Sequence, residues 1–294
     1  MGRAEVRLIH TMSTREDSLC SRDYVRLCEL IYREAGITLG SEKRTMLEVR
    51  LKPRLKELHL GSYSQYCDYL FAREGQTEEI IPLIDVVTTN KTDFFREPRH
   101  FDFLFGKALP GLTSGDGGRR SLLIWSAGCS TGEEPYTLAM VLSEYALAHP
   151  GFHFRILATD ISTRVLAHAK LGIYTTETVA PVQAALRIKY LLRSRDRASN
   201  RVRVSPELRR LVEFRRLNFM DSSYGIPEMA DAIFCRNVII YFDRPTQQRI
   251  LRRLCQHLVP GGYLFVGHAE TLHDMNLPLV PVAPALYRRV DAPA

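Results

Sequence analysis

No apolar run in this sequence approaches the roughly 20 residues a helix needs to cross a bilayer. The longest, SLLIWSAG (121–128) and GGYLFVG (261–267), stop far short, so no stable membrane insertion is expected. The opening segment, MGRAEVRLIHTMSTRED, is charged throughout and has no continuous apolar stretch, so no secretory signal is expected. Cysteine is sparse: the six, at positions 20, 28, 67, 129, 235 and 255, form no C-x-x-C pair and have no histidine at zinc-like spacing. They read as reduced, small apolar side chains in a reducing cytoplasm, and neither a disulfide nor a metal is expected. Repeats and low-complexity tracts are absent. With 45% hydrophobic and 9% aromatic residues, the chain carries too much apolar material for disorder.

What is there is a chain of 294 residues, the length of about two domains. Lysine and arginine number 40 against 33 acidic residues, a net +7 that favours an acidic partner. The excess is local. Between Arg187 and Arg216 eleven basic residues stand against three acidic ones, and the remainder of the chain is close to neutral.

Residues 1–16 read as a flexible tail. From 17 to 85 apolar residues recur at helical spacing: Tyr24, Leu27, Leu30 and Ile31; Leu47, Leu51, Leu55 and Leu58; Tyr66, Tyr69 and Leu70. Gly36, Gly40, Gly61 and Gly75 read as stops, and Pro53 predicts a kink or restart in the second helix. A helical domain of about four short helices is expected, then a linker and helix over 86–112. From 113 to 290 strands alternate with helices. SLLIWSA (121–127), FRILATD (154–160), LVEFRRL (211–217), DAIFCRN (231–237), GGYLFVGH and ALYRRV (285–290) read as strands. The pattern predicts an α/β fold with a doubly wound, mostly parallel sheet covered on both faces. The Arg-rich stretch from about 188 to 210 breaks the alternation and reads as a β insertion with a short antiparallel element.

Four motifs carry the chemistry. WSAGCSTGEEP (125–135) runs from a buried strand through Gly128 and Gly132 into a helix, the crevice where nucleotide-like ligands sit in such sheets. Glu133 and Glu134 open that helix; they would repel a phosphate and suit a cationic ligand, or else simply complement the helix dipole. LATD ends in Asp160, an acid at the end of the second strand that accepts hydrogen bonds from ribose hydroxyls; the alternative is a helix cap. DAIFCRNVIIYF (231–242) reads as a buried strand through Arg236 and Asn237 that continues to Tyr241. TTNKTDFFREPRHF (88–101) reads as a linker, then a helix opening at Glu97–Pro98.

Taken together, TTNKTDFFRE, SAGCSTGEEPY, ATDIS, IFCRNVIIYFD and the GHAE after the fifth strand resemble the CheR family of chemoreceptor glutamate methyltransferases, from about Tyr24 to Tyr287. The resemblance implies a class I, Rossmann-like methyltransferase fold that binds S-adenosylmethionine and leaves S-adenosylhomocysteine. It implies cofactor contacts at Asn90, Thr92, Arg96, Glu134, Asp160, Asn218, Phe219, Asn237 and Val238, with Phe219 beside the adenine. Arg96 and Tyr241 match residues acting near the transferred methyl. The substrates implied are glutamates on the cytoplasmic helical domains of chemoreceptors, reached by a cytoplasmic enzyme recruited to receptor arrays at the inner membrane.

A glutamate carboxylate is ionised at neutral pH, so its attack on a sulfonium methyl needs no general base and no metal. Positioning and removal of water are the work, with Arg96 and Tyr241 as the aligning pair. Family members that dock a receptor's C-terminal pentapeptide carry a glycine-containing loop in the β insertion. The matching RSRDRASNRVRV has none, so pentapeptide-independent binding is expected. Lys43, Arg50 and Arg54 fall within a narrow arc of the second helix, a basic surface for an acidic receptor helix or an ordinary solvated face. A nucleic-acid partner is not expected: RNVIIYF lacks the prolines of base-amine methylases, and the basic patches lack interleaved aromatics. SAGCSTGEEP departs from G-x-G-x-x-G, against a nicotinamide dehydrogenase. A non-catalytic sensor of the same cofactor is opposed by the retained Arg96, Asp160, Asn237 and Tyr241.

Overall fold

The computed structural model describes residues 18–114, 121–196 and 198–290; the tail expected over 1–16 lies outside them. Four helices form the N-terminal unit: α1 (Ser21–Ala35), α2 (Arg44–Glu57), α3 (Tyr63–Phe71) and α4 (Arg73–Val87). Their shared core holds Leu27, Leu30, Ile31, Leu47, Leu51, Tyr66 and Leu70, all essentially without solvent exposure. Each such aliphatic side chain contributes about 1.5–3 kcal/mol on leaving water. The Cys20 thiol caps α1 and the Ser62 hydroxyl caps α3.

Two sequence expectations change here. Gly75 does not stop a helix but lies in the first turn of α4, where a Cβ would come 2.0 Å from the Tyr69 carbonyl oxygen. Close backbone packing between α3 and α4 therefore demands it. Nor does α2 restart at Pro53, which sits inside an unbroken helix with its ring on the exposed face.

A short helical stretch follows, α5 (Arg99–Phe103) and α6 (Leu109–Thr113) with a wider turn between them. Then comes the sheet unit: β1 (Ser121–Ala127), α7 (Glu133–Ala148), β2 (His153–Asp160), α8 (Thr163–Leu171), β3 (Ile173–Thr175), α9 (Ala184–Tyr190), β4 (Leu191–Arg193), β5 (Arg201–Val204), α10 (Pro206–Arg209), β6 (Val212–Arg216), β7 (Ala230–Cys235), α11 (Arg244–Gln256), β8 (Leu258–Val266), β9 (Leu279–Ala283) and β10 (Leu286–Arg289). The main sheet has the order β6-β2-β1-β7-β8-β10-β9. Its first five strands are parallel and only β10 runs the other way, antiparallel to both β8 and β9, in keeping with the expected doubly wound, mostly parallel α/β fold. Successive strands run outward from β1 in both directions, so the carboxyl ends of β1 and β7 border a topological switch point, where such sheets open a crevice.

Three boundaries differ from the sequence reading. The strand expected to continue to Tyr241 stops at Cys235; Asn237 adopts a left-handed backbone (φ 58) and Ile239–Tyr241 form a tight helical turn. The edge strand β9 was not anticipated, because Pro281 within LVPVA argues against a strand and is tolerated only at an edge. The insertion's antiparallel sheet, β3-β5-β4, also recruits Ile173–Thr175, upstream of residue 188.

The helical unit is tied directly to the sheet unit. Ile37 bridges to Phe242, the Thr38 amide donates to the Tyr241 carbonyl (2.9 Å), and Asn218 Nδ2 donates to the Glu34 carbonyl (2.6 Å). Asp85 accepts from both the amide and hydroxyl of Thr163.

Arg54 is part of the helical core rather than a free docking residue. Its guanidinium grips buried Glu79 with two bonds (2.8 and 2.6 Å) and also meets Glu57, while the Tyr66 hydroxyl donates to Glu79 at 3.0 Å. Its hydrogen bonds to Glu79 hold the guanidinium more firmly protonated than usual. Removing one partner of such a pair strands a buried charge. Arg54→Ala is therefore expected to lower unfolding stability by about 3 kcal/mol in urea titrations; a loss below about 0.5 kcal/mol would contradict the pairing.

Candidate active site

The crevice at the switch point is floored by the β1–α7 loop. Gly128 (φ 92) takes the left-handed region, and a Cβ there would lie 2.4 Å from Val238 Cγ2. Any side chain would fill the cleft or push the opposite wall away, so glycine is required. Gly132 (φ 99) starts α7 under the same restriction, packed against Ala169 and Tyr174.

The walls come from separated segments. The linker supplies Asn90, Thr92 and Arg96; the end of β2 supplies Asp160; the segment after β6 supplies Asn218 and Phe219; the turn after β7 supplies Asn237, Val238 and Tyr241; and α7 supplies Glu134. All of these sequence-predicted residues line one cleft. Lys43 and Arg50 line it too, from the helical unit, whereas Arg54 does not. Sequence reasoning assigned the cleft to the linker and the sheet unit and missed the wall that Ile37, Thr38 and Met46 contribute.

The polar groups are already engaged. Asp160, 9% exposed, accepts from the amides of Ser130 (2.8 Å) and Ser162 (3.0 Å). Burial pushes its carboxyl up and those amides pull it back. The cap of α8 is Ser162, not Asp160, which answers the alternative raised by the sequence. Ser130 also donates its hydroxyl to the Asn90 carbonyl at 2.8 Å, fastening the linker to the loop. Asn218 accepts from the Met220 amide (3.0 Å) besides holding Glu34. Arg50 donates to the Val87 carbonyl and to the Thr89 hydroxyl (2.8 Å), and burial makes its guanidinium easier to deprotonate than usual. Arg96 donates to the Lys91 carbonyl at 3.0 Å. Of the two carboxylates that open α7 only Glu134 lines the cleft; Glu133 accepts from the Thr131 hydroxyl (2.6 Å).

Three charged residues that sequence reasoning did not single out support the cleft from behind its wall, and of them only Arg236 lines it. The Arg236 side chain is 2% exposed and pairs with Glu134 (3.2 Å) and Glu97 (3.1 Å). It also donates to the Arg96 carbonyl. Burial raises the Glu134 carboxyl, and Arg236 and the Ser126 hydroxyl oppose that rise. Phe95 and Glu97, on either side of Arg96, both adopt left-handed backbone (φ 54 and 55), a conformation costing of order 1 kcal/mol or more per residue. The bonds from Arg236 hold that strained segment in place. Glu270, 5% exposed, accepts from the amides of Gly267, Asn237 (2.8 Å), Val238 (2.9 Å) and Ile239 (2.9 Å). It thereby fixes the turn that carries Asn237 and Val238. The signal for Arg236 lay in the sequence: one charge inside IFCRNVII must find a partner when buried. Glu270 stood in GHAE without a role to read.

A glycine-floored cleft with one carboxylate at the β2 end, an aromatic wall and a buried acid on the far side can hold a nucleoside carrying a cationic group. No helix among the described residues is long and apolar enough to cross a membrane.

Comparison with known proteins bears on this cleft. Residues 22–88 match the model for the CheR methyltransferase all-alpha domain, and residues 90–283 that for the CheR methyltransferase SAM binding domain. The chain is 40% identical over 268 residues to the chemotaxis protein methyltransferase of Borreliella burgdorferi, covering 90% of this chain and 93% of that protein. It is 41% identical to chemotaxis protein methyltransferase 2 of Pseudomonas aeruginosa (87% and 89% covered) and 40% identical to the chemotaxis protein methyltransferase of Escherichia coli (90% and 89%). The cofactor is S-adenosylmethionine.

Glu270→Gln replaces one carboxylate oxygen by an NH2, which then faces two of the four backbone donors, either Val238 and Ile239 or Asn237 and Gly267. The loosened turn is expected to weaken S-adenosylhomocysteine binding about tenfold or more by calorimetry, equivalent to about 1.4 kcal/mol. Unchanged affinity would show that the turn holds its shape without this carboxylate.

Proposed function

The chain belongs to the CheR methyltransferases, S-adenosylmethionine-dependent chemotaxis protein methyltransferases, and on that premise we propose that it methylates glutamate side chains of chemoreceptor cytoplasmic domains, forming glutamate methyl esters. Supporting this reading is the single cleft in which Arg96 and Tyr241 stand on the wall beside Asp160 and Glu134. The enzyme acts from the cytoplasm at receptor arrays. In this division the helical unit over 17–85 meets the receptor, the linker and helix over 86–112 add Asn90, Thr92 and Arg96 to the cleft wall, and 113–290 supplies the rest of the cofactor site.

The residues suit the cofactor. A Cβ at Gly128 would occupy the space the ligand needs, Asp160 offers a carboxylate to ribose hydroxyls, and Phe219, 8% exposed, offers an aromatic face to the base. Asn90, Thr92, Asn218, Asn237 and Val238 complete the contacts, and Glu134 counterbalances positive charge. When bound, the cofactor supplies a methyl group on a sulfonium centre. Arg96 and Tyr241 orient the incoming carboxylate. Ile37, Met46 and Phe242 exclude water around it, which exposes the nucleophile. Because the substrate acid is ionised well below neutrality, no residue has to take a proton. Lys43 and Arg50 on the cleft rim attract an acidic receptor helix; Arg54 belongs to the fold. The glycine-free, Arg-rich β4–β5 connection supports docking without a C-terminal pentapeptide.

Transfer of labelled methyl to a purified receptor cytoplasmic domain tests the reaction, and the label is expected to be base-labile, as an ester is; a base-stable label would indicate N-methylation. Arg96→Ala and Tyr241→Phe are each expected to lower kcat, Arg96→Ala by up to about 100-fold, since positioning errors cost on that scale. Normal rates in both folded variants would remove the assignment. The rate is expected to stay level across neutral to mildly alkaline pH, because the substrate carboxylate, with an ordinary pKa near 4.3, is fully ionised there. A rise governed by a group titrating near pH 7 would reveal a required base.

A further inference from the structure

Outside the cofactor cleft, the chain brings together three potential metal ligands that no sequence spacing announces. Glu97 and His100 lie three residues apart at the start of α5, and His268 follows β8, 168 positions later. One ligand atom from each lies within 4.8 Å of the others. His100 is 2% exposed, and neither of its ring nitrogens has a hydrogen-bond partner, although the Pro284 carbonyl and Glu97 both lie near it. A buried imidazole with both nitrogens idle is costly unless something else engages it.

From this juxtaposition we propose that Glu97, His100 and His268 form a site for a divalent transition-metal ion of the zinc class, which braces α5 against the loop after β8 rather than taking part in methyl transfer. His100 Nδ1 and Glu97 Oε2 are 3.5 Å apart. Two ligands each about 2.0–2.1 Å from a tetrahedral ion stand roughly 3.4 Å apart, so this pair already has the required spacing. His268 is exposed, its ring packs edge-on against that of His100 at 5.1 Å between centroids, and the fourth coordination place would fall to water. Two neutral imidazoles and one carboxylate match the donor preferences of zinc.

The surroundings supply the supports such sites use. Metal-bound carboxylates are themselves hydrogen-bonded. Here Glu97 accepts from Arg236 on Oε2 and from the His268 amide on Oε1 (3.3 Å). Arg236 is the cation that pairs with this cluster. Its charge is divided between Glu97 and Glu134, so the group of two carboxylates and one guanidinium retains a net negative charge to set against the ion.

The test uses untagged full-length protein stripped with a chelator, titrated with Zn2+ by calorimetry and with Co2+ followed by visible absorption. The wild type is expected to bind one equivalent saturably and to gain thermal stability with Zn2+, as binding to the folded state alone requires. His268→Ala removes an exposed ligand without disturbing the core. It should weaken binding by at least the roughly 10–100-fold that loss of an outer-shell partner costs, and abolish the thermal shift. His100→Phe keeps the ring and removes both nitrogens, and should do the same. No saturable binding to the wild type, or binding that His268→Ala leaves unchanged because the ion sits on cysteine thiols, would overturn the site.

Discussion

A guanidinium withdrawn from water must be paired, and the position of Arg236 governs the cleft because its partners come from two other, separate parts of the chain. Glu134 belongs to the helix after β1, and Glu97 and the Arg96 carbonyl belong to the segment joining the helical unit to the sheet unit. Each partner satisfies part of a buried charge, and each would be stranded without it. The network therefore fixes the linker against the switch point of the sheet. That holds two left-handed residues in place and aims Arg96 along the wall of the cleft. Shape here follows from charge pairing, with apolar packing closing around it.

The same economy runs through the rest of the site. Asp160 meets two backbone amides and Glu270 four, so the turns that carry Ser130, Asn237 and Val238 are tied to carboxylates, and the Ser130 hydroxyl in turn fastens the segment at Asn90. A cleft built this way is set before any ligand arrives, which suits a reaction whose main demand is alignment. The helical unit shares in it: the Ile37–Phe242 bridge and the Thr38–Tyr241 hydrogen bond attach a wall of the cleft to the end of α1.

Much of this was legible from local pattern. The stripes of Tyr24, Leu27, Leu30 and Ile31 and of Leu47 and Leu51 marked the helical core, and the apolar runs at 121–127 and 154–160 marked the central strands, because periodicity reports which face is buried. Glycines and charged residues within apolar motifs pointed to the cleft for a related reason: both are unfavourable in a strand or core unless the site requires them. What misled was equally local. Pro53 and Gly75 carried the expected breaking signals, but one lies on an exposed helix face and the other fills a helix contact too tight for a Cβ. Arg54 looked like a surface charge because its partner Glu79 is 25 positions away.

Sequence alone therefore determined the run of helices followed by alternating strands and helices, and the residue types that could meet a cationic nucleoside ligand, since these follow from short-range periodicity and from the chemistry of individual side chains. Only the tertiary structure decided which charges remain free. Lys43 and Arg50 reach the cleft, Arg54 and Arg236 are consumed in buried pairs, and His100 meets His268 across 168 residues, because pairing depends on distance in space, which the folded sheet and helices set and spacing along the chain does not encode.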